Sequence, residues 1–265
     1  MSTKQTDTNN NTQFLKDERH AQIRRLVEAH GQMTVPELSS QFNVSEATIR
    51  RDLEELDGHW LRRTHGGAVR LERAAKEPPI MQRVSEQQAE KVRIGQAAAQ
   101  MIKDGETIFL GSGTTVLEIV HAIPQELHLT VITNSVAVVN ELAGRPQVEL
   151  VVIGGMFRPS ELSMVGHIAE HDIQEFRADR VFIGIRGIDC KHGFTNDFLP
   201  ETVTDRTIMT IAPQVVVVAD HTKFSRVSTV FVAPVTAAHW IITDEGTSAE
   251  QIAEIKELGV EVIVA

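Results

Sequence analysis

The chain has 265 residues, 42% of them apolar and 23% charged, an ordinary balance for a globular protein of one large or two modest domains. No run of about 18 apolar residues occurs, which excludes a transmembrane helix, and no membrane partner is expected. The polar start Met1–Thr12 lacks the apolar core of a signal peptide, so a cytoplasmic chain is expected. Cys190 is the only cysteine, which excludes an internal disulfide and a cysteine zinc cluster.

The net charge of −10 weighs at first against a nucleic-acid partner. Read by region it does not. Residues 1–75 hold 11 basic and 11 acidic side chains, and the other 190 residues hold 15 and 25, which is the whole excess. Within residues 59–73, Arg62, Arg63, Arg70 and Arg73 stand against Glu72 alone, a basic strip compatible with DNA contact.

In chain order, residues 1–15 form a polar, disordered start. Lys16–His30 carries Ile23, Leu26 and Val27 on one helical face and stops at Gly31. Thr34 followed by Glu37 reads as a capping box opening a second helix, with Val35, Leu38 and Phe42 as its buried stripe. Ser45 caps a third helix that buries Ile49, Leu53 and Leu56. Only Asn43 and Val44 separate these two helices, and Asn tolerates the left-handed conformation of a sharp turn. The pair therefore reads as a helix-turn-helix. Two short extended runs flanking Gly66-Gly67 read as a β-wing, and residues 72–84, charged and carrying Pro78-Pro79, as a linker.

From about Ser85 a long amphipathic helix, reaching about Lys103, leads into alternating strands and helices. The predicted strands are Thr107–Leu110, Leu129–Thr133, Glu149–Ile153, Arg180–Ile185, Val215–Ala219, Trp240–Thr243 and Val260–Val264. Several are continuous apolar runs, as when both sheet faces are covered, and the alternation implies a mostly parallel sheet. The fold class is α/β, with a winged helix-turn-helix over residues 16–71 and a sheet domain over 85–265.

In the third helix the inward set leaves Ala47, Arg50 and Arg51 outward and Thr48 on the flank, beside the cap Ser45. Residues at the start of such a helix reach base edges in the major groove. Arg pairs with guanine or with phosphate, and the sequence leaves both open. Arg62, Arg63 and His65 on the wing would grip the backbone or enter the minor groove.

In the sheet domain, Gly111-Ser112-Gly113-Thr114-Thr115 joins a strand to a helix, so that free N–H groups and two hydroxyls meet an anion. It is neither GxGxxG nor GxxxxGK[ST], so no dinucleotide or NTP is indicated and no cofactor is assigned. Asn134-Ser135, Gly154-Gly155, Gly187 and Asp220 to Lys223 follow further strands. The ends of parallel strands share one sheet edge, where ligands bind. Glycines and hydroxyls there suit a phosphate, Lys223 is its counter-charge, and the carboxylates and amides suit sugar hydroxyls. Asp244, at another strand end, reads as structural. His167 and His171, four apart on an expected helix, lack an evident third ligand, so no metal site is assigned.

Ser45-Glu46-Ala47-Thr48-Ile49-Arg50-Arg51-Asp52-Leu53 closely resembles the helix-turn-helix signature of the deoxyribose-operon-type (DeoR) regulators, and Arg62 to Ala68 resembles their wing. The stretch between Asp52 and His65 is about one residue shorter than usual. Gly113-Thr114-Thr115, Thr133-Asn134-Ser135, Gly154-Gly155, Asp179 through Gly187 to Phe194, Glu201 and Asp220 to Phe224 resemble the family's effector domain, although many members have Asp where this chain has Gly111. The resemblance implies a sheet domain similar to sugar-phosphate isomerases. It also implies a phosphorylated sugar or sugar derivative as effector, with Glu201 in its site, and repression of a carbohydrate-use operon. A double-stranded DNA operator and a homo-oligomer, dimer or tetramer, are the expected partners. No catalytic residue is assigned. The alternative is a sugar-phosphate isomerase-like enzyme with a helical appendage, Glu201 or Asp220 acting as base and Lys223 as electrostatic stabiliser.

Overall fold

The computed structural model describes residues 16–57, 61–64, 66–70, 72–73 and 78–265. The expected disordered start, residues 1–15, lies outside them. The chain divides into two compact units, Met1–Leu71 and Glu72–Ala265.

The first unit contains α1 (Lys16–His30), β1 (Gln32–Thr34), α2 (Val35–Phe42), α3 (Glu46–Leu56), β2 (Leu61–Thr64) and β3 (Gly67–Arg70). The capping box forms as the sequence predicts. Glu37 donates its backbone N–H to the Thr34 hydroxyl at 3.4 Å, and the Thr34 N–H reaches the Glu37 carboxylate at 2.7 Å. Asn43 ends α2 in the left-handed region, with φ 51° and ψ 44°, which turns the chain into α3 within two residues. Ile23, Val27, Val35, Leu38, Phe42, Ile49, Leu53, Leu61 and Ala68 make one core, with Leu26 and Leu56 half-buried at its rim.

The wing has one strand more than its sequence suggests. β1 joins the β2–β3 hairpin by pairing antiparallel with β3, Thr34 opposite Gly67. A Cβ on Gly67 would stand 2.1 Å from the Met33 carbonyl oxygen, so only glycine lets the strands approach there.

The second unit opens with β4 (Glu72–Arg73), α4 (Ile80–Arg83), α5 (Gln88–Ala99), β5 (Thr107–Leu110), α6 (Thr114–Ala122), β6 (Leu129–Thr133), α7 (Val136–Leu142) and β7 (Val148–Val152). There follow β8 (Met156–Arg158), β9 (Ser163–Val165), α8 (His167–Gln174), β10 (Arg180–Gly184), β11 (Gly187–Asp189), β12 (Gly193–Asn196) and α9 (Leu199–Ile208). It closes with β13 (Val215–Val218), β14 (Arg226–Val227), β15 (Val230–Ala233), β16 (Trp240–Thr243), α10 (Ala249–Glu257) and β17 (Glu261–Val264).

All seven predicted strands enter one parallel sheet, in the order β17-β16-β13-β10-β5-β6-β7. Apolar clusters cover both of its faces, which is why β13 is an unbroken run of valines. From β5 the chain winds outward through β6 and β7, then returns to the other side of β5 for β10, β13, β16 and β17. The topological switch point lies between β5 and β10. The smaller antiparallel sheet β11-β12-β15 and the β8–β9 hairpin are additions that the sequence does not announce.

Residues 72–84 are not the plain linker expected from their prolines and charges. Glu72–Arg73 pairs with β14, the Ile80 N–H donates to the Ser160 carbonyl at 2.8 Å, and Ile80 and Arg83 are buried. An apolar side chain and an ion pair outweigh Pro78-Pro79, which here opens α4 rather than spacing it away. The long helix is also shorter than expected, beginning at Gln88 because Gln87 takes a left-handed φ of 49°.

Candidate functional site

In the first unit, α3 turns Ile49, Leu53 and Asp52 inward, which leaves Ala47, Arg50 and Arg51 on its exposed side and Thr48 half-buried on the flank. The Ser45 hydroxyl accepts the Thr48 N–H at 3.2 Å, fixing the start of the helix. Arg50 pairs with Glu46 at 3.2 Å, an exposed contact of little energetic weight. Arg51 is exposed and forms no ion pair among the described residues. Arg63 donates to Glu54 at 2.6 Å, and its backbone N–H donates to Asp57 at 3.0 Å, so the wing is tied to the end of α3. The Arg62 side chain and His65 lie outside the described residues.

The orientation of α3 rests on a buried carboxylate. Asp52 accepts two bonds from the Arg19 guanidinium, at 2.6 and 2.9 Å, and stands 3.0 Å from His20 Nε2. Burial works to raise its pKa, but the Arg19 fork and His20 outweigh that and hold the carboxyl below its ordinary range.

In the second unit a cleft of about 690 Å³, open to solvent, sits at the carboxyl ends of the strands beside the switch point. The loop after β5 and the first turn of α6 contribute Ser112 to Thr115, the loop after β10 contributes Ile185 and Arg186, and the loop after β13 contributes Asp220, Thr222 and Lys223. Gly113 caps α6 with φ 120° and ψ 154°, a conformation open essentially to glycine alone, and no side chain caps this helix. The first-turn N–H groups of α6 therefore stand beside the cleft with no intrahelical partner, joined by the side chains of Ser112, Thr114 and Thr115.

Charged groups build the remaining walls. Glu161 takes Arg83 on one oxygen and Arg186 on the other, the latter at 2.7 Å. Arg186 also reaches Asp197 at 3.3 Å and Glu201 at 3.8 Å, and Arg158 pairs with Glu201. Lys91, buried, donates to the Arg83 carbonyl at 2.7 Å and to the Glu86 carbonyl. Burial lowers the Lys91 pKa, against the pull of Asp220. Burial raises the carboxyl of Glu201, with Arg158 and Arg186 opposing, and pushes Asp205 well above its ordinary range, reinforced by the neighbouring charge of Glu201. Asp220 accepts the Thr222 N–H at 2.9 Å, while Asp244 accepts the His221 N–H at 2.7 Å and closes its own loop.

Of the residues the sequence nominates for ligand contact, Ser112, Gly113, Thr114, Thr115, Glu201, Asp220 and Lys223 are together on this cleft. Gly111, Asn134, Ser135, Gly154, Gly155 and Gly187 are not among its lining residues. The Gly111 N–H pairs with the Phe182 carbonyl at 3.0 Å. Asn134 holds the Met164 carbonyl at 2.9 Å, and Ser135 caps α7. Gly154 and Gly155 lead into the β8–β9 hairpin, and Gly187 packs against the Arg226 backbone. Sequence reasoning passes over Arg83, Lys91, Glu161, Arg186, Asn196 and Asp205. Only Arg186, a charge between the glycines at the exit of an apolar strand, carries a local signal.

A winged helix-turn-helix in one chain with an α/β unit that has a polar cleft at its switch point defines the class: a DNA-binding regulator that carries its own ligand-sensing domain. The DeoR-like helix-turn-helix domain family matches residues 19–74, and the DeoR C-terminal sensor domain family matches residues 86–245. The chain belongs to the DeoR family of transcriptional regulators. Among its relatives, the transcriptional repressor AccR of Agrobacterium fabrum is 33% identical, over 87% of this chain and 90% of that one. The HTH-type transcriptional repressor CsqR of Escherichia coli is 32% identical, over 96% and 97%. The glycerol-3-phosphate regulon repressor of Escherichia coli is 33% identical, over 86% and 90%. The protein is thus a regulator and not an enzyme, and the isomerase alternative falls. A solved ribose 5-phosphate isomerase A from Methanocaldococcus jannaschii is 18% identical with a TM-score of 0.40, covering 52% of this chain and 55% of that one. Among the described residues no helix is long and apolar enough to cross a membrane.

Proposed function

We propose that the protein is a cytoplasmic repressor of a carbohydrate-utilisation operon, released from its operator by a phosphorylated sugar or sugar derivative. The observation that carries this reading is the uncapped N-terminus of α6 at the switch-point cleft, with Ser112, Thr114 and Thr115 beside it and Lys91 and Lys223 on the same lining. A phosphate there meets backbone N–H groups, hydroxyls and positive charge. The names of the relatives, one of them a glycerol-3-phosphate regulon repressor, support the same chemistry. Ser45, Ala47, Thr48, Arg50 and Arg51 on α3 read the major groove, and Arg62, Arg63 and His65 on the wing hold the backbone. A homo-oligomer, dimer or tetramer, presents paired recognition helices to a two-fold operator. The effector acts through its differential affinity for the DNA-bound and free states.

A gel-shift titration on the DNA upstream of the protein's own gene, with and without a panel of sugar phosphates, tests this. A specific complex dissolved by one compound is the expected result. A complex indifferent to the whole panel overturns the effector assignment, and the absence of any specific complex overturns the operator assignment.

A further inference from the structure

The wall of the cleft formed by α9 carries two carboxyls one helical turn apart, Glu201 and Asp205, 5% and 7% exposed. Asp205 uses one oxygen, Oδ2, to accept the Asn196 amide at 2.6 Å. Asn196 is itself fixed, because its own oxygen accepts the Arg186 N–H at 3.3 Å. Asp205 makes no other side-chain hydrogen bond or ion pair among the described residues, and it is one of the residues that line the cleft. Glu201 is alike: its Oε2 meets Arg158 and Arg186, Oε1 takes no bond from a described residue, and the side chain lines the same cleft. Two carboxyls, each with an oxygen that no described residue engages, thus line one cavity from the same helix face, on side chains more than nine-tenths buried.

Unpaired acceptors in such a place call for donors from a ligand. A second anion is disfavoured, since the guanidiniums of Arg83, Arg158 and Arg186 already hold Glu161, Asp197 and Glu201. A metal cation is disfavoured too, because the guanidiniums of Arg158 and Arg186 already stand on Glu201 and would repel it. Neutral hydroxyls remain, and a hydroxyl serves whichever of the two carboxyls carries a proton.

We propose that Glu201 and Asp205 are a hydroxyl-reading wall, so that the effector is a monophosphate whose other end is a neutral diol rather than a second phosphate or a carboxylate. This rests on the reading of the cleft as a phosphate site. Asp205 is then a specificity-determining residue that the strand-end pattern does not reveal, because it lies in mid-helix.

The test is calorimetric titration of the full chain with inorganic phosphate, fructose 6-phosphate, glucose 6-phosphate, ribose 5-phosphate, fructose 1,6-bisphosphate and 6-phosphogluconate. A sugar monophosphate is expected to bind tightest. In Asp205→Ala the ratio of its affinity to that of inorganic phosphate falls about tenfold or more, the loss of one buried hydrogen bond. Asp205→Asn, which keeps the wall polar and the helix packed, retains part of that ratio. Tightest binding by the bisphosphate or by 6-phosphogluconate overturns the proposal. Equal affinity across the panel, or a ratio unchanged in Asp205→Ala, overturns it as well. If inorganic phosphate and all the sugar phosphates fail to bind the unaltered chain, the phosphate reading itself fails and this inference falls with it.

Discussion

Arg19 on α1 and Asp52 on α3 meet in a two-point fork, 2.6 and 2.9 Å long, inside the core of the first unit. Both side chains are buried, so the fork sets the angle at which α3 leaves the core. Removing one partner of such a pair leaves the other charge buried without it, at a cost of about 3 to 5 kcal/mol. Asp52→Ala is therefore expected to lower the melting transition of the first unit while that of the second unit stays in place. Differential scanning calorimetry of the full chain checks it, and an unshifted first transition would mean that the fork contributes no net stability.

Arg51 is exposed on α3 and forms no ion pair among the described residues, unlike Arg50, which leans on Glu46. Arg51→Ala should weaken operator binding by about 1 to 3 kcal/mol if it reads a base. If it holds a phosphate, the loss is the same on all sequences and the salt dependence falls by about one counterion. Binding to operator and to scrambled DNA across a salt series separates these outcomes, and unchanged binding throughout would take Arg51 out of the interface.

The elements legible in the sequence are those with a local physical cause. Thr34 and Glu37 declare a helix start, Asn43 a left-handed turn, and the valines of β13 a strand covered on both faces. β1 escapes notice because three residues that include a helix cap carry no alternation. The cleft is half legible for a topological reason. Seven strand ends share one sheet edge, and the sequence offers no ground to prefer one over another. The space opens where the winding reverses, so the loops after β5, β10 and β13 line it, while Asn134 and Gly155, which follow strands one and two beyond β5, serve the β8–β9 hairpin. Arg83, Glu161 and Asp205 are far apart in the chain and meet only once the sheet is wound.

Gly113 is held at φ 120° and ψ 154°, and a Cβ there would meet nothing within 4 Å. Its requirement is thus conformational, not spatial, and Gly113→Ala costs about 1 to 3 kcal/mol of strain. The turn is expected to relax by moving the first-turn N–H groups of α6. Operator binding in the absence of ligand should persist while release by sugar phosphate is lost. Gel shifts with and without the ligand measure this, and a full response in the variant would remove the α6 N-terminus from the site.

The two buried carboxyls respond to pH in opposite senses. Asp52, whose pKa is depressed in the fold, contributes stability that is present above its unfolded value of about 3.9 and is lost as the pH falls through the folded one. Asp205, whose pKa is raised by burial and by Glu201, is most favourable when protonated. Its contribution is fully present below about pH 3.9 and is lost as the pH rises through its raised folded pKa. Arg186 and Arg158 temper that loss without cancelling it, and Glu201 adds a loss of the same sign. Asp205→Asn keeps the volume and the polar contact with Asn196 but cannot ionise. The variant should therefore match the unaltered protein below about pH 3.9, gain on it as the pH rises from there to the raised folded pKa, and keep a constant lead above that. Urea denaturation of the second unit at a series of pH values gives the difference directly. A constant gap between the two proteins at every pH would mean that Asp205 titrates as it does in the unfolded chain.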